Sequence, residues 1–81
     1  MRAHGKARGG PAGGFELSEL TITANPEVLR ELAKWMLSFA DELQKPGYGS
    51  SHVHFREEME QRGLKVGRRT PDVILCNPRF H

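Results

Sequence analysis

A helix-start signal followed by a long amphipathic segment constrains the fold of this chain more than any other feature of its sequence. The signal is Asn25-Pro26-Glu27, in which asparagine suits the N-cap and proline at the first helical position loses no hydrogen bond. The glutamate beside them favours the positive end of the helix dipole. Pro46-Gly47 stops the segment, so the pattern predicts one helix from Pro26 to about Lys45.

Apolar residues recur along this segment at three- and four-residue steps, which predicts a buried stripe on the helix. The stripe consists of Leu29, Leu32, Ala33, Met36, Ala40 and Leu43. Trp35 and Phe39 lie beside it, on the flank that also carries Val28. They widen the apolar face beyond what one small sheet needs, which is a first indication of a binding partner.

A strand pattern precedes the helix. Leu20 and Ile22 alternate with threonines, as in a strand that has one buried face. Phe15 and Leu17 have the opposite phase, so either the strand starts near Glu19 or a bulge lies at Ser18-Glu19.

Two further strand patterns follow the helix. His52-Val53-His54 places both histidines on one face of a strand and the valine on the other. Residues 71–76 are apolar on both faces, which predicts a strand that is covered on both sides. Between these strands, Arg56 to Arg62 can form two helical turns closed by Gly63.

The order of these parts predicts an α+β fold. We expect a two-layer β-α-β-β domain over residues 15–81, with one long helix packed on a small three-stranded sheet. A domain of ~60 residues buries only about 60% of the surface of its unfolded chain. Its sheet would keep two open edges and one face without a helix, so we predict a homodimer or pairing with another protein. The strand order stays open, since residues 72–76 fit either the centre of the sheet or a dimer seam.

Residues 1–14 differ in composition from the rest of the chain. They hold five of the nine glycines, no aromatic residue, and Arg2, Lys6 and Arg8 without an acid, for a net charge of +3. The other nine Lys and Arg against ten Asp and Glu leave −1 on residues 15–81, which gives the chain its +2. We predict a disordered, basic, glycine-rich leader over residues 1–14.

A nucleic-acid accessory protein that uses this leader and the basic loop 65–69 is an alternative. The near-neutral charge of residues 15–81 argues against nucleic acid as a partner.

The sequence also excludes several classes of protein. Its single cysteine, Cys76, cannot form an intramolecular disulfide or a zinc finger built on cysteine pairs. The longest apolar run is far below the ~20 residues of a membrane helix, and no secretory apolar region follows the basic N-terminus. We therefore predict a cytoplasmic protein with no membrane partner.

His52 and His54 are the residues best suited to metal chemistry. Their Cβ atoms lie roughly 7 Å apart along one strand face, and Cys76 offers a third ligand for zinc, copper or nickel. A small metal-binding protein or metal-dependent enzyme is therefore an alternative. The sequence lacks G-x-S-x-G, H-E-x-x-H, C-x-x-C and G-x-G-x-x-G, and fixes no acid or nucleophile beside the histidines. We predict no catalytic residues and no cofactor.

Contact residues for a protein partner are predicted from side-chain type, because aromatic residues and arginine dominate the hot spots of interfaces. We expect these contacts among the aromatic residues, on the histidine face and in the connection 56–69. They are Trp35, Tyr48, His52, His54, Arg56, Arg68 and Arg69. Glu57, Glu58 and Glu60 are interpreted as a solvated face.

Four short motifs follow one another along the chain. They are Leu20-Thr21-Ile22, the run from Asn25 to Ala33, His52-Val53-His54-Phe55 and Asp72-Val73-Ile74-Leu75. In this order, over residues 19 to about 77, they resemble the immunity-protein 32 family of bacterial polymorphic toxin systems, whose pattern is L-x-I, x-P-E-x-L-x-x-L-A, H-V-H-[LF] and a final apolar strand. The connection 56–71 and the basic leader depart from that pattern. The resemblance implies a non-enzymatic protein that binds and neutralises a cognate toxin made by the same cell.

Overall fold

The computed structural model describes residues 1–9, 16–67 and 69–80. Within these ranges the chain forms four β-strands, two α-helices and one short 3-10 helix. The strands are β1 (Arg2–Gly9), β2 (Glu16–Thr23), β3 (His52–His54) and β4 (Ile74–Cys76); the α-helices are α1 (Pro26–Leu43) and α2 (Phe55–Gln61), and the 3-10 helix is Pro78–Phe80. The predicted α+β class is confirmed, as is the short helix before Gly63, where φ is +77°.

The sheet layout differs from the prediction. Strands β1 and β2 form one antiparallel pair and β3 and β4 form another, so the described ranges hold two two-stranded sheets instead of one three-stranded sheet. Sequence patterns indicate which segments are strands, but the choice of neighbour depends on packing in the whole chain. Strand β2 takes its partner from the N-terminal segment and leaves β3 and β4 to each other.

Arg2–Gly9 forms a strand where the composition predicted a disordered leader. This strand needs few side-chain contacts of its own, because its ladder to β2 uses backbone groups. Glycine suits position 5, since a Cβ there would lie 2.7 Å from the carbonyl oxygen of Glu19. The same glycine content that favours disorder in an isolated segment therefore permits close pairing here. Residues 10–14 of the predicted leader lie outside the described residues.

The bulge that was one of the two alternatives for β2 is confirmed. The pairing register skips Ser18 between Glu19 and Leu17. The extra residue shifts the side-chain phase, so Leu17 lies on the same face as Leu20 and Ile22. Ile22 packs against the core, whereas Leu17 and Leu20 are 50% and 62% exposed. This face of the β1–β2 pair therefore extends beyond the core.

Helix α1 begins where the sequence predicts. Oδ1 of Asn25 accepts a hydrogen bond from the Val28 N–H at 2.9 Å, and Pro26 occupies the first helical turn. The helix ends at Leu43, close to the predicted end, and Gly47 carries the chain away with φ +78°. Within the described ranges, neither α-helix combines the length and hydrophobicity that crossing a membrane requires.

The buried side of α1 is rotated away from the predicted stripe. Leu32, Trp35 and Phe39 are buried. The exposed residues include four members of that stripe: Leu29, Ala33, Met36 and Ala40. The flank therefore faces the core, and most of the predicted stripe faces outward. Periodicity fixes the angles between side chains on a helix, but a wide apolar arc does not specify which part of it meets the core.

The core joins α1 to α2. Leu32 and Trp35 pack with Phe55 and Met59, and each of the four is at most 4% exposed. The rings of Trp35 and Phe55 are tilted by 53°, with 5.2 Å between their centroids. The partly buried residues around them are Met1, Ile22, Val28, Val53, Val66, Val73 and Leu75. Both sheets and both helices therefore contribute to one cluster.

We expect Asn25→Ala to lower the free energy of unfolding by about 1 kcal/mol, because the Val28 N–H loses its side-chain acceptor. Asn25→Asp keeps an acceptor oxygen and is the matched control, with stability close to that of the original chain. Urea denaturation followed by circular dichroism measures both variants. Equal stability of the Ala and Asp variants would contradict the role of the cap.

Candidate partner-binding site

Three of the predicted contact residues line one shallow cleft with a volume of about 280 Å³. Trp35 comes from α1, and His52 and His54 come from β3. The other lining residues are Val53, Glu57, Glu58 and Gln61. We call this set the histidine cleft. Trp35 is only 4% exposed, so it forms the floor of the cleft and supports the residues around it.

The pairing of β3 with β4 turns both histidines outward. His52 lies opposite Cys76 and His54 opposite Ile74, so these four residues share one face of the pair. Val53 lies on the other face, against the core. The histidine rings meet edge to face, with 5.0 Å between centroids. The sequence prediction that both histidines lie on one strand face is therefore confirmed.

Each histidine ring has a hydrogen-bonding neighbour. Nδ1 of His52 lies 2.8 Å from the Ser51 hydroxyl oxygen. Nδ1 of His54 lies 2.7 Å from Oδ2 of Asp72. These contacts hold and orient the two imidazoles.

Asp72 also caps a helix that begins 17 residues before it. Its Oδ1 accepts the backbone N–H of Arg56, in the first turn of α2, at 2.9 Å. The N-cap residue of α2 is His54, whose side chain makes no capping hydrogen bond. Asp72 therefore supplies from a distant segment what the local sequence does not.

The same contacts favour the ionised form of Asp72. Partial burial opposes ionisation most, but hydrogen bonds from the Arg56 N–H, the His54 ring and a neighbouring backbone N–H together outweigh it. They hold the pKa of Asp72 below its ordinary value of 3.8.

Sequence reasoning did not identify two carboxylates of the cleft, Glu57 and Glu58. They were interpreted as a solvated face, but α2 starts directly after β3 without a linker. They follow His54 by three and four residues, so the first helical turn brings them beside the imidazoles. Glu58 pairs with Arg62 at 3.4 Å, whereas the side chain of Glu57 makes no hydrogen bond or ion pair within the part of the chain that the structure describes.

The structure does not bring the other predicted contacts into the cleft. The Tyr48 ring packs edge-on against Phe39, with 6.2 Å between centroids. The Arg56 guanidinium donates to the carbonyl of Thr70 and tethers the connection between α2 and β4. Arg69 is exposed, and Arg68 lies outside the described residues.

The three-ligand metal set predicted from His52, His54 and Cys76 is not assembled. Across the described ranges, no three histidine, cysteine, aspartate or glutamate side chains are grouped to hold a metal ion. Two imidazoles without a third ligand leave the metal alternative without structural support.

A second cavity of about 280 Å³ opens between the start of α1, α2 and the loop after α2. Val28, Phe55 and Met59 give it an apolar wall, and Glu27 and Lys65 are among its charged lining residues. Part of the predicted contact connection 56–69 lines it, but none of the seven contact residues named individually does so within the described part of the chain. The histidine cleft is therefore the better candidate for the predicted function.

Comparison with known proteins adds one finding. A family model described as Immunity protein 32 matches residues 19–78 of the 81-residue chain. Neither curated proteins nor solved structures give a match. The matched range contains all residues of the histidine cleft, together with Asp72. Strand β1 lies outside it.

We expect Asp72→Ala to lower the free energy of unfolding by about 1–3 kcal/mol at neutral pH, because the Arg56 N–H loses a charged acceptor. The pKa of Asp72 is lowered in the fold, so the unfolded chain takes up the proton first as the pH falls. The original chain is therefore more stable than Asp72→Asn by the full amount above 3.8, the ordinary pKa of the group. This difference disappears as the pH falls through the pKa of Asp72 in the folded chain. Urea denaturation over a pH series measures this.

Glu60→Gln is the matched control, since it removes an exposed carboxylate from α2, the helix that Asp72 caps. A stability difference between the original chain and Asp72→Asn that stays constant from neutral to strongly acidic pH would contradict the assigned role.

Proposed function

We propose that this chain, which belongs to the immunity protein 32 family, is a non-enzymatic protein that binds a protein toxin and neutralises it. The family match supports this proposal, because it covers most of the chain and contains the histidine cleft. An inhibitor of this kind acts by covering a functional surface of its target. Its own surface then needs shape and charge rather than reactive groups.

The observation that carries the proposed binding mode is the charge of the histidine cleft. Two carboxylates, Glu57 and Glu58, stand beside two imidazoles over a buried tryptophan. Glu57 has no ion-pair partner in the described ranges, so its charge is available to a second molecule. A cationic side chain fits such a site, because carboxylates attract positive charge and accept charge-assisted hydrogen bonds. We therefore propose that a basic residue of the toxin enters the cleft.

An apolar margin lies next to the cleft. Ile74 is 50% exposed and shares the outward face of β3 and β4 with both histidines and Cys76. Interfaces of standard size combine an apolar centre with polar groups that fix orientation. Ile74 supplies the apolar area and the cleft supplies the orientation.

We keep the remaining predicted contacts as proposed contacts with the toxin. They are Tyr48, Arg56, Arg68 and Arg69. Arg56 acts by holding the connection after α2, since its guanidinium is bonded to the Thr70 carbonyl. Trp35 acts as the support of the cleft because it is buried.

The proposal also concerns the cell compartment and the oligomeric state of the chain. We propose the cytoplasm, where the exposed thiol of Cys76 stays reduced. We also propose that the chain forms a homodimer. Self-association is separate from toxin binding, and its surface is argued in the next subsection.

The test uses the cognate toxin, which is sought first among the genes adjacent to the gene of this chain, then co-expressed with the chain and purified. We expect Glu57→Lys to weaken toxin binding by about tenfold or more, because it replaces an attractive charge with a repulsive one. Glu60→Lys is the matched control, since it makes the same change on α2 outside the cleft. Calorimetry measures affinity, and growth of the co-expressing host measures neutralisation.

Two results would contradict the proposal. Equal effects of Glu57→Lys and Glu60→Lys would assign the loss to net charge and remove the cleft from the interface. Neutralisation by far less than one chain per toxin molecule would indicate turnover, and the non-enzymatic role would then be wrong.

A further inference from the structure

Helix α1 carries a second apolar surface that the described residues of the chain leave uncovered. We call it the α1 stripe: Leu29, Ala33, Met36, Leu37 and Ala40, all of them exposed. Leu37 is 68% exposed and Leu29 is 46% exposed. At 3.6 residues per turn, these side chains occupy an arc of about 100°, the width of a core-facing stripe. The helix is therefore apolar on two adjoining arcs, and the core of this chain covers one of them.

The shape of the α1 stripe suits another helix. Its middle is formed by Ala33 and Ala40, which lie seven residues, or about two turns, apart on the same side. Small side chains in the middle of a helix face allow a second helix to pack closely, at roughly 8–10 Å between axes. Leu29 and Met36 border the alanines on one side, and Leu37 borders them on the other.

Two charges without an ion-pair partner lie beside the stripe. Arg30 and Asp41 both follow Leu37 around the helix, about 20° apart. In the described ranges, neither side chain forms a hydrogen bond or an ion pair within the chain. Three other charges on α1 are already paired: Glu31 with Lys34 and Arg62, and Glu42 with Lys45. Of the three α1 charges that remain, Arg30 and Asp41 lie on one border of the stripe, and Glu27 lies about 40° farther around the helix.

We propose that the α1 stripe packs against the α1 stripe of a second copy, with the two helices antiparallel about a two-fold axis near Met36. In this arrangement the same border of each helix faces its counterpart. Arg30 and Asp41 are six and five residues from Met36 in opposite directions, so Arg30 meets Asp41 of the second copy with an axial offset of about 1.5 Å. The two-fold axis forms this pair twice.

The same relation brings the alanines together. Ala33 and Ala40 are three and four residues from Met36, so each alanine of one copy lies beside the other alanine of the second copy. A parallel pair has no such match, because the charged border of one helix would face the opposite border of the other, next to its buried arc. The charge pattern is thus complementary to itself in the antiparallel orientation.

This pairing is a concentration-dependent equilibrium. An 18-residue helix is about 27 Å long, and one face of it is smaller than the roughly 800 Å² per partner of a standard interface. The α1 stripe shares no residue with the histidine cleft. The inference rests on the proposed homodimer and not on toxin binding.

The experiment is a charge exchange, measured by sedimentation of the purified full-length chain without toxin, from about 1 μM to 1 mM at low salt. We expect the original chain to dimerise, and Arg30→Glu or Asp41→Arg alone to raise the dissociation constant about tenfold or more, since two attractive contacts become repulsive. An equimolar mixture of the two variants should form heterodimers. The double variant should recover homodimers.

The mixture controls for folding, because misfolded variants would not restore each other. Arg79→Glu makes the same change of net charge at an exposed position outside α1 and outside both proposed surfaces, and should leave dimerisation unchanged. A monomer at every concentration would overturn the homodimer and the interface together. Self-association that is insensitive to Arg30→Glu, or losses that the mixture does not reverse, would overturn the antiparallel interface while the homodimer stands. Because toxin is absent, each result leaves the toxin proposal to its own test.

Discussion

The packing of Trp35 against Phe55 is the contact on which the rest of this small structure depends. Phe55 is the first residue of α2 and directly follows His54, the last residue of β3, so fixing its ring fixes the direction of both elements. The two rings are among the few nearly fully buried side chains of the described ranges. A domain of this size has little core to spare, and the loss of either ring would remove a large share of it. The histidines and carboxylates of the cleft are positioned as a consequence of this contact.

Local features of the fold could be predicted from the sequence. The start of α1 follows from Asn25 and Pro26, and the bulge in β2 follows from a change of phase in the apolar pattern. Both depend on residues within a few positions of each other. The pairing of β1 with β2 and the absence of a three-stranded sheet in the described ranges depend on which distant backbones approach each other. Composition is a poor guide there, since glycine favours disorder alone and close pairing beside a partner strand.

The candidate site shows the same difference between local features, which could be predicted, and long-range contacts, which could not. The shared face of His52 and His54 is a two-residue periodicity and was predicted. The capping of α2 by Asp72 was not, because no local rule joins a carboxylate to a helix that began 17 residues earlier. Glu57 and Glu58 could have been identified, since a helix that starts immediately after a strand places its first carboxylates beside the last side chains of that strand. The missing information was that β3 ends at His54, directly before α2.

The rotation of α1 links the fold to both proposed surfaces. With Trp35 and Phe39 turned inward, the aromatic side chains support the core and the cleft, and the smaller residues of the predicted stripe face outward. The exposed arc is then flat and rich in alanine, which favours a helix as its partner, while the charged cleft favours a basic side chain. The α1 stripe selects its partner by a small apolar face whose bordering charges are complementary to themselves. The histidine cleft selects its partner by clustered carboxylates. The two proposed surfaces share no residue, so a second copy and a toxin would not compete for the same side chains.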